Sequence, residues 1–475
     1  MNTRRPSAIG TPAVGWELLW SPPTPSGGGS HEGATHAAPQ YRGATPECAP
    51  VGSRPPVPLS TIRTVNAHLP VAMDARGQGR LGLVLTGGGA RSAYQVGVLS
   101  ALARLLPRDA PAPFRIVTGM SAGAIVAAAV ACHAARFREG VAALERVWRN
   151  FHVQQVFRTD ALSMLGAGAR WGLAVLTAGR LVRPPRSLFD SSPLGRLLER
   201  HFDFGRMREA MALGHLDALA IAAANYRNPR SVDFFETVAW NSPARDDWPR
   251  GLAVELGARH LMASAAVPFL FPAVEVGGEY YGDGAMRRIA PLSSAIHLGA
   301  DRLFVVGVRD SGGARVAAGA AGTRPPSFGE IAGFILDTLF IDALDAGLAQ
   351  LERLNRLIAR TDSAPDGLRR IDTCVMLPSV DLSAVALRHA RAMPRSLRTL
   401  LRVMGASNGA GAELASYLLF ESSYTRELIA LGTEDAMRRR DELVAFCSPP
   451  SAARAEAAPD AGPDRSCAAP VAVAS

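Results

Sequence analysis

The 475-residue chain contains no lysine: all 51 of its basic residues are arginine, against 42 acidic ones. That excludes a phosphate-binding loop of the Gly-Lys-Ser/Thr type, which needs the lysine ammonium to reach the phosphates. Cysteine is also scarce. Cys48, Cys132, Cys374, Cys447 and Cys467 are odd in number, far apart and free of C-x-x-C spacing, so they read as free thiols in a reducing compartment, with no zinc or other metal site expected. Long apolar runs are missing too. No signal-peptide core follows Arg4 and Arg5 before Pro22 and Pro23, and the longest apolar stretch, Ala161 to Val182, is broken by Arg170 and Arg180. It falls short of the roughly 20 clean residues of a membrane span. A cytoplasmic location follows as the expectation, compatible with peripheral contact at a membrane. Aromatics make up only 6% of the chain, and the arginines behind the formal charge of +9 are scattered. Single-strand binding would need basic and aromatic residues interleaved, so no nucleic-acid partner is expected. No feature specifies an oligomeric state.

What is present is 48% apolar residues, enough for one sizeable core. Residues 1–78 are rich in Pro, Gly, Ser and Thr without period and read as a disordered tail, as do residues 447–475. Order begins near Arg80. Leu81 to Leu85 is a short apolar run ended by Gly87, Gly88 and Gly89, and helical spacing then resumes through Tyr94, Val98, Leu102 and Leu105. The layout repeats when Phe114 to Val117 leads through TGMSAG into the small-residue helix AIVAAAVACHAARF. Two such units predict parallel strands with helical crossovers. Further strands are predicted at Leu216 to Tyr226, Val232 to Ala239, Gly278 to Gly284 and Asp301 to Val308. The boundaries that result are a catalytic unit over 79–310, a linker over 311–327 and a helical region over 328–446.

Gly119-Met120-Ser121-Ala122-Gly123 fits a nucleophile elbow, in which a serine on a tight strand-to-helix turn is pushed clear of both elements and the glycines admit close backbone. The alternative is a glycine-rich turn with Ser121 as an ordinary helix N-cap. Gly87, Gly88 and Gly89 end the strand one crossover earlier, so in a parallel sheet they lie at the same carboxyl edge as Ser121. Their amides could face a tetrahedral oxyanion there, with Arg91 bracing the loop or adding positive charge. A dinucleotide fingerprint would require glycine where Ser92 stands. His133, His260 and His297 read as core or surface histidines. Asp283, between Gly282 and Gly284 after an aromatic strand, is the better-placed base, the alternative being an Asp-Gly hairpin.

The blocks GGGARSAYQVGVL, GMSAG and DGA (Asp283, Gly284, Ala285), in that order, resemble the patatin-like phospholipases. SLFDSSPLGRLL, ASAAVPFLFPAV and APLSSAIHLGADRLFVVGV add to the likeness, which covers roughly residues 80–310. The resemblance implies a three-layer α/β/α fold with a mainly parallel sheet and C-terminal helices. It implies a Ser121–Asp283 dyad, an oxyanion loop of Gly87, Gly88, Gly89 and Arg91, hydrolysis of lipid acyl esters, and no cofactor. Ser92 departs from the glycine common at that place. An aspartate of ordinary pKa, about 3.9, is a poor base near neutrality, so such a site must raise it by desolvation. The other functional class is a catalytically silent lipid- or anion-binding module on the same fold. Two stretches could touch a lipid surface, Ala161 to Val182 and the mixed basic and apolar Leu387 to Gly405, and either could equally pack against the catalytic unit.

Overall fold

The computed structural model describes residues 79–159, 186–228, 231–238, 251–287, 291–309, 327–338, 343–360, 368–406 and 412–448, with a few single positions between them. Residues 1–78 and 449–475, nearly all of the expected linker and most of Ala161 to Val182 lie outside the described residues; Cys447, expected in the C-terminal tail, is instead the buried last residue of the final helix.

The first half of the chain runs β1 (Leu81–Leu85), α1 (Ala93–Leu105), β2 (Ile116–Met120), α2 (Ala122–Cys132), α3 (Phe137–Arg149), α4 (Ser192–His201), α5 (Phe204–Ala212), β3 (Ala218–Asn225), β4 (Ser231–Thr237) and β5 (Gly251–Ala253). It continues through α6 (Ala258–Ser264), β6 (Val274–Val276), β7 (Glu279–Asp283), α7 (Ser293–His297) and β8 (Arg302–Val306). The remainder is α8 (Phe328–Asp337), α9 (Ala343–Ile358), β9 (Asp372–Met376), α10 (Leu382–His389), α11 (Arg395–Val403), α12 (Ala412–Leu418), α13 (Ser422–Arg438) and α14 (Arg440–Cys447).

The strands form one sheet in the order β5-β4-β3-β2-β1-β8-β9, with β7 joining β3 and β6 joining β7. From β3 to β9 every neighbouring pair is parallel, whereas β4 and β7 run antiparallel to β3. The central strands are apolar at nearly every position because both faces are covered. Leu83, Leu85, Val117, Leu219, Ile221, Phe304 and Val306 enter one core with α1, α2, α3 and α13. Their alternates Val84, Ile116, Ala218, Ala220, Leu303 and Val305 enter a second core with Ala295 of α7 and Leu344 and Leu351 of α9. The result is a three-layer α/β/α fold with a mostly parallel central sheet. Among the described residues, no helix is long and apolar enough to cross a membrane.

The expected helical region over 328–446 is helical but not separate. β9 lies parallel beside β8, with Asp372 opposite Arg302 and Met376 opposite Val306. As an edge strand whose first residues, Asp372 and Thr373, are exposed, DTCVM lacks the continuous apolar run that marks the inner strands. α13 packs its buried Tyr424, Leu428 and Ile429 into the α1 layer. Thr433 Oγ1 there donates to the Gly97 carbonyl (3.2 Å), and Thr425 Oγ1 donates to the Trp148 carbonyl of α3 (2.7 Å).

Each large apolar side chain fully buried is worth about 1.5–3 kcal/mol, and losing α13 uncovers several at once. A chain ending at residue 310 is therefore expected to lose cooperative thermal unfolding, measured by near-UV circular dichroism and calorimetry. A sharp transition in that truncated chain would show that residues 328–446 are dispensable for the core.

Candidate active site

β3 decides where the site residues meet. One of its edges is occupied by β4 along Ala218–Ala224. On the other edge β2 pairs from Ala218 and stops with Met120 opposite Ala222. The next places are taken by β7, with Asp283 opposite Ala223. The chain leaves β2 at Ser121, so Ser121 and Asp283 occupy consecutive places on the same edge although they are far apart in sequence.

Ser121 has φ 52° and ψ −131° and is buried. Left-handed backbone of this kind at a non-glycine residue costs about 1–3 kcal/mol and persists only where surrounding contacts enforce it. Here the enforcing contacts are visible. The Ser121 amide donates to Ser264 Oγ (2.9 Å), and a Cβ at Gly123 would come within 2.3 Å of the Thr86 carbonyl oxygen. At Gly119 a Cβ would lie 2.5 Å from the Gly123 oxygen. The Ser121 side chain makes no capping hydrogen bond to α2, which removes the N-cap alternative.

The hairpin alternative for Asp283 also fails. The tight turn between β6 and β7 is made by Gly277 and Gly278, both with positive φ, as a two-residue hairpin loop needs. Asp283 ends β7, and Gly284 and Ala285 open the 3-10 turn Gly284–Arg287. The Asp283 amide donates to the Ala266 carbonyl (2.9 Å), and Oδ1 accepts the Ala285 amide (2.9 Å). Burial pushes the carboxyl up to about 7, against the opposing pull of the Ser121 hydroxyl and the Ala285 amide. The Ser121 contact is close enough to act on the carboxylate but falls short of a well-aligned hydrogen bond, and Oδ2 is buried without a partner of good geometry.

The glycine loop lies alongside. Gly89 has φ 53°, and a Cβ there would come within 2.4 Å of the Tyr417 carbonyl oxygen. Gly88 packs against Val308. Among the described residues, the amides of Gly87, Gly88 and Gly89 donate no hydrogen bond within the protein. Arg91, predicted beside the oxyanion, is turned away from it. Nε donates to Ser416 Oγ (2.7 Å), Nη1 to Asp337 Oδ1 (3.1 Å) and Tyr417 OH (3.2 Å), and Nη2 to Ser383 Oγ (2.7 Å). The guanidinium also stacks 4.1 Å from the Tyr417 ring centroid. Of the two roles the sequence allows it, Arg91 takes the bracing one, clamping the loop to α8, α10 and α12.

A cavity of about 200 Å³ opens at Ser121 and Gly89 and is almost entirely apolar. Ala122, Ile125, Ala129 and His133 line it from α2, while Leu144, Val147 and Trp148 line it from α3 and Leu194, Leu197 and Leu198 from α4. These spacings place one stripe of each helix on the cavity, which follows α2 for about 16 Å at the helical rise of 1.5 Å per residue. His133 is thus far from Ser121. Burial, then the charge of Asp203, pushes the Cys132 thiol up to about 12, and His201 also lines the cavity. His260 has its ring against Phe234 and Nδ1 accepting the Gly257 amide, and burial lowers it to about 4, leaving it neutral and weakly basic. His297 stacks on Trp248.

Residues 83–296 match the family model described as patatin-like phospholipase. The matched stretch carries both Ser121 and Asp283, together with most of the central sheet. No curated protein matches the chain significantly. Among solved structures, human GIVD cytosolic phospholipase A2 is similar at 13% identity and a TM-score of 0.40 over 78% of this chain, which spans 60% of that protein's length. ExoU in its complex with SpcU from the type III secretion system of Pseudomonas aeruginosa is similar at 16% identity and a TM-score of 0.24, over 78% of this chain and 77% of that one.

Sequence patterns did not reveal Ser264 as the acceptor for the Ser121 amide, the Ala266 carbonyl as the anchor of Asp283, or the partners of Arg91. A serine within ASAAV carries no local mark of its partner 143 residues away. Asp337 forms an ion pair with the buried Arg91 (3.1 Å). Asp337→Ala is expected to lower unfolding free energy by about 3 kcal/mol, as loss of a partner from a buried ion pair does, and to slow turnover of a soluble ester. Calorimetry and a p-nitrophenyl ester assay measure both, and unchanged stability would mean that the clamp does not hold the loop.

Proposed function

We propose that this domain hydrolyses lipid acyl esters through a Ser121–Asp283 dyad and an acyl-enzyme. Asp283 takes the hydroxyl proton of Ser121 as Oγ bonds to the acyl carbon, and negative charge develops on the former carbonyl oxygen. The undonated amides of Gly88 and Gly89, with the first amides of α2, hold that charge. Collapse expels the leaving alkoxide, which receives the proton from Asp283. Water then adds to the acyl carbon, giving its proton to Asp283, and Ser121 leaves with a proton as the fatty acid is released. The acyl chain lies in the apolar cavity along α2, long enough for a fatty chain and almost free of polar groups that an aliphatic chain would leave unpaired.

The observation that carries this reading is the buried carboxyl of Asp283, raised to about 7 beside a serine held in strained backbone. A general base works best when its pKa is near the working pH, so an otherwise weak base is matched to neutral conditions by desolvation alone.

Ser121→Ala and Asp283→Asn are each expected to reduce p-nitrophenyl ester turnover on the order of a hundredfold or more, and Ser121→Ala to abolish labelling by a fluorophosphonate. Either variant turning over at the parental rate would remove that residue from the mechanism. Activity should rise with pH through about 7 as Asp283 ionises. The stability effect has the opposite sign. The folded carboxyl binds its proton more tightly than the unfolded one, so stability is fully present below the unfolded pKa near 3.8 and is lost as pH rises through about 7. Asp283→Asn should therefore raise the melting temperature at pH 8 and change it little at pH 4. An equal effect at both pH values would show that burial of charge is not the cause.

A further inference from the structure

Two features beside the cavity have no role in the chemistry above. The first is Phe269, which with Ser121 makes up the non-glycine residues of positive φ among the described residues, at 65°. It is 88% exposed. Its backbone is held by the Leu188 amide, which donates to the Phe269 carbonyl (2.8 Å), and by the Phe189 amide, which donates to the Leu270 carbonyl (2.9 Å). A bulky aromatic in that conformation is an outlier, and packing within the protein does not repay it. Leu270 and Phe271, the next two residues, line the cavity.

The second is α8, whose amphipathic pattern faces the wrong way for a protein in water alone. Phe328, Ile331, Phe334 and Ile335 form one stripe along it and are all exposed, while Gly329, Gly333 and Leu336 face inward. Leu336 lines the same cavity, and Asp337 holds Arg91. The N-terminal end of α8 abuts the end of α11: the Gly329 amide donates to the Met404 carbonyl (2.7 Å) and Ser327 Oγ to the Gly405 carbonyl (3.1 Å). From Leu382 to Ala412 the chain has no acidic residue. Arg391, Arg395 and Arg402 are exposed there and Arg398 is half-buried. None of the four has an ion-pair partner among the described residues.

We propose that Phe269 and the outer face of α8, flanked by the α11 arginines, form a surface that docks on an anionic lipid bilayer. The α8 side chains form one exposed apolar stripe, which suits insertion among headgroups. Unpaired arginines beside exposed apolar residues match anionic lipid. Both apolar features continue within one residue into the cavity wall, at Leu270 and at Leu336, so a lipid lifted from the bilayer meets apolar surface all the way to Ser121. The inference extends the lipid-hydrolase reading, but its test does not depend on hydrolysis.

The full chain is co-sedimented with vesicles of diether phosphatidylcholine alone and of an equimolar mixture with diether phosphatidylglycerol, lipids without a cleavable ester. The parent should bind the mixed vesicles more tightly. Ile331→Ser with Phe334→Ser and Ile335→Ser should weaken binding to both by at least about tenfold. Arg395→Gln with Arg398→Gln and Arg402→Gln should weaken binding only to the anionic vesicles, on the order of a hundredfold, each arginine contributing about fivefold. Phe269→Gly separates this role from folding, because it relieves the left-handed strain and should raise the melting temperature while weakening vesicle binding. Turnover of soluble p-nitrophenyl butyrate should be unchanged in all of these variants. A parent that binds neither vesicle, or folded variants that bind as the parent does, would overturn the proposal, as would a dimer that α8 substitution converts to monomer without any vesicle binding. Vesicle binding in a chain without esterase activity would leave the surface standing and remove the hydrolase reading instead.

Discussion

The shared edge of β3 is the constraint on which the site depends. A strand offers each place along an edge to a single neighbour, and here β2 gives up that edge at Met120 and β7 takes it at Asp283. Because β4 fills the opposite edge throughout, β7 has nowhere else to pair. A change of one residue in that handover would turn Asp283 to the other face of the sheet, since side chains alternate with period two. The convergence of alcohol and carboxyl is therefore set by backbone hydrogen bonds, which hold position more firmly than side-chain contacts could.

Around that handover the protein accepts local unfavourable terms and offsets them with tertiary contacts. The strained φ of Ser121 is held by Ser264 from α6, and the Ala266 carbonyl just beyond α6 ties down Asp283. One short segment thus anchors both the Ser121 turn and the end of β7 at Asp283. The buried carboxyl gives up stability when ionised and gains a proton affinity suited to neutral pH, a trade common to active sites. On the other side of the cavity, Arg91 joins the glycine loop to three C-terminal helices through hydrogen bonds and a ring contact. The C-terminal region is thereby part of the site's frame as well as of the sheet, through β9 and α13.

The apolar cavity follows from the composition of α2. A helix of alanines and valines, with isoleucine at one place facing the cavity, leaves room that larger side chains would fill, while α3 and α4 supply the bulkier leucines and Trp148. The helix is buried on nearly every side, so its outward face is the cavity wall rather than solvent. Ser121 precedes the first residue of the same helix, which sets its hydroxyl at one end of the space beside that helix.

Much of this was legible in one dimension, because it rests on local rules. Apolar runs ended by glycine define β1 and β2, small residues at helical spacing define α2, and a serine between glycines at their junction requires a tight turn whatever the rest of the chain does. Asp283 stood out as a candidate base from its place between glycines after an aromatic strand, and the resemblance added its pairing with Ser121 as a dyad. Long-range contacts were not legible at all. Arg91 in the glycine loop carries no sign of Asp337, Ser383 and Ser416, and β9, as long as β1 but exposed at its first residues, lacks the apolar run that would announce it as the last strand of the sheet. Nor does an aspartate between glycines reveal that burial will bring it to about 7. The sequence by itself determined the elements and the chemistry each could carry, since backbone preference and periodicity act within a few residues. Which carboxyl meets which hydroxyl, and in how dry a place, was decided by tertiary structure, because register and burial depend on segments far apart in the sequence.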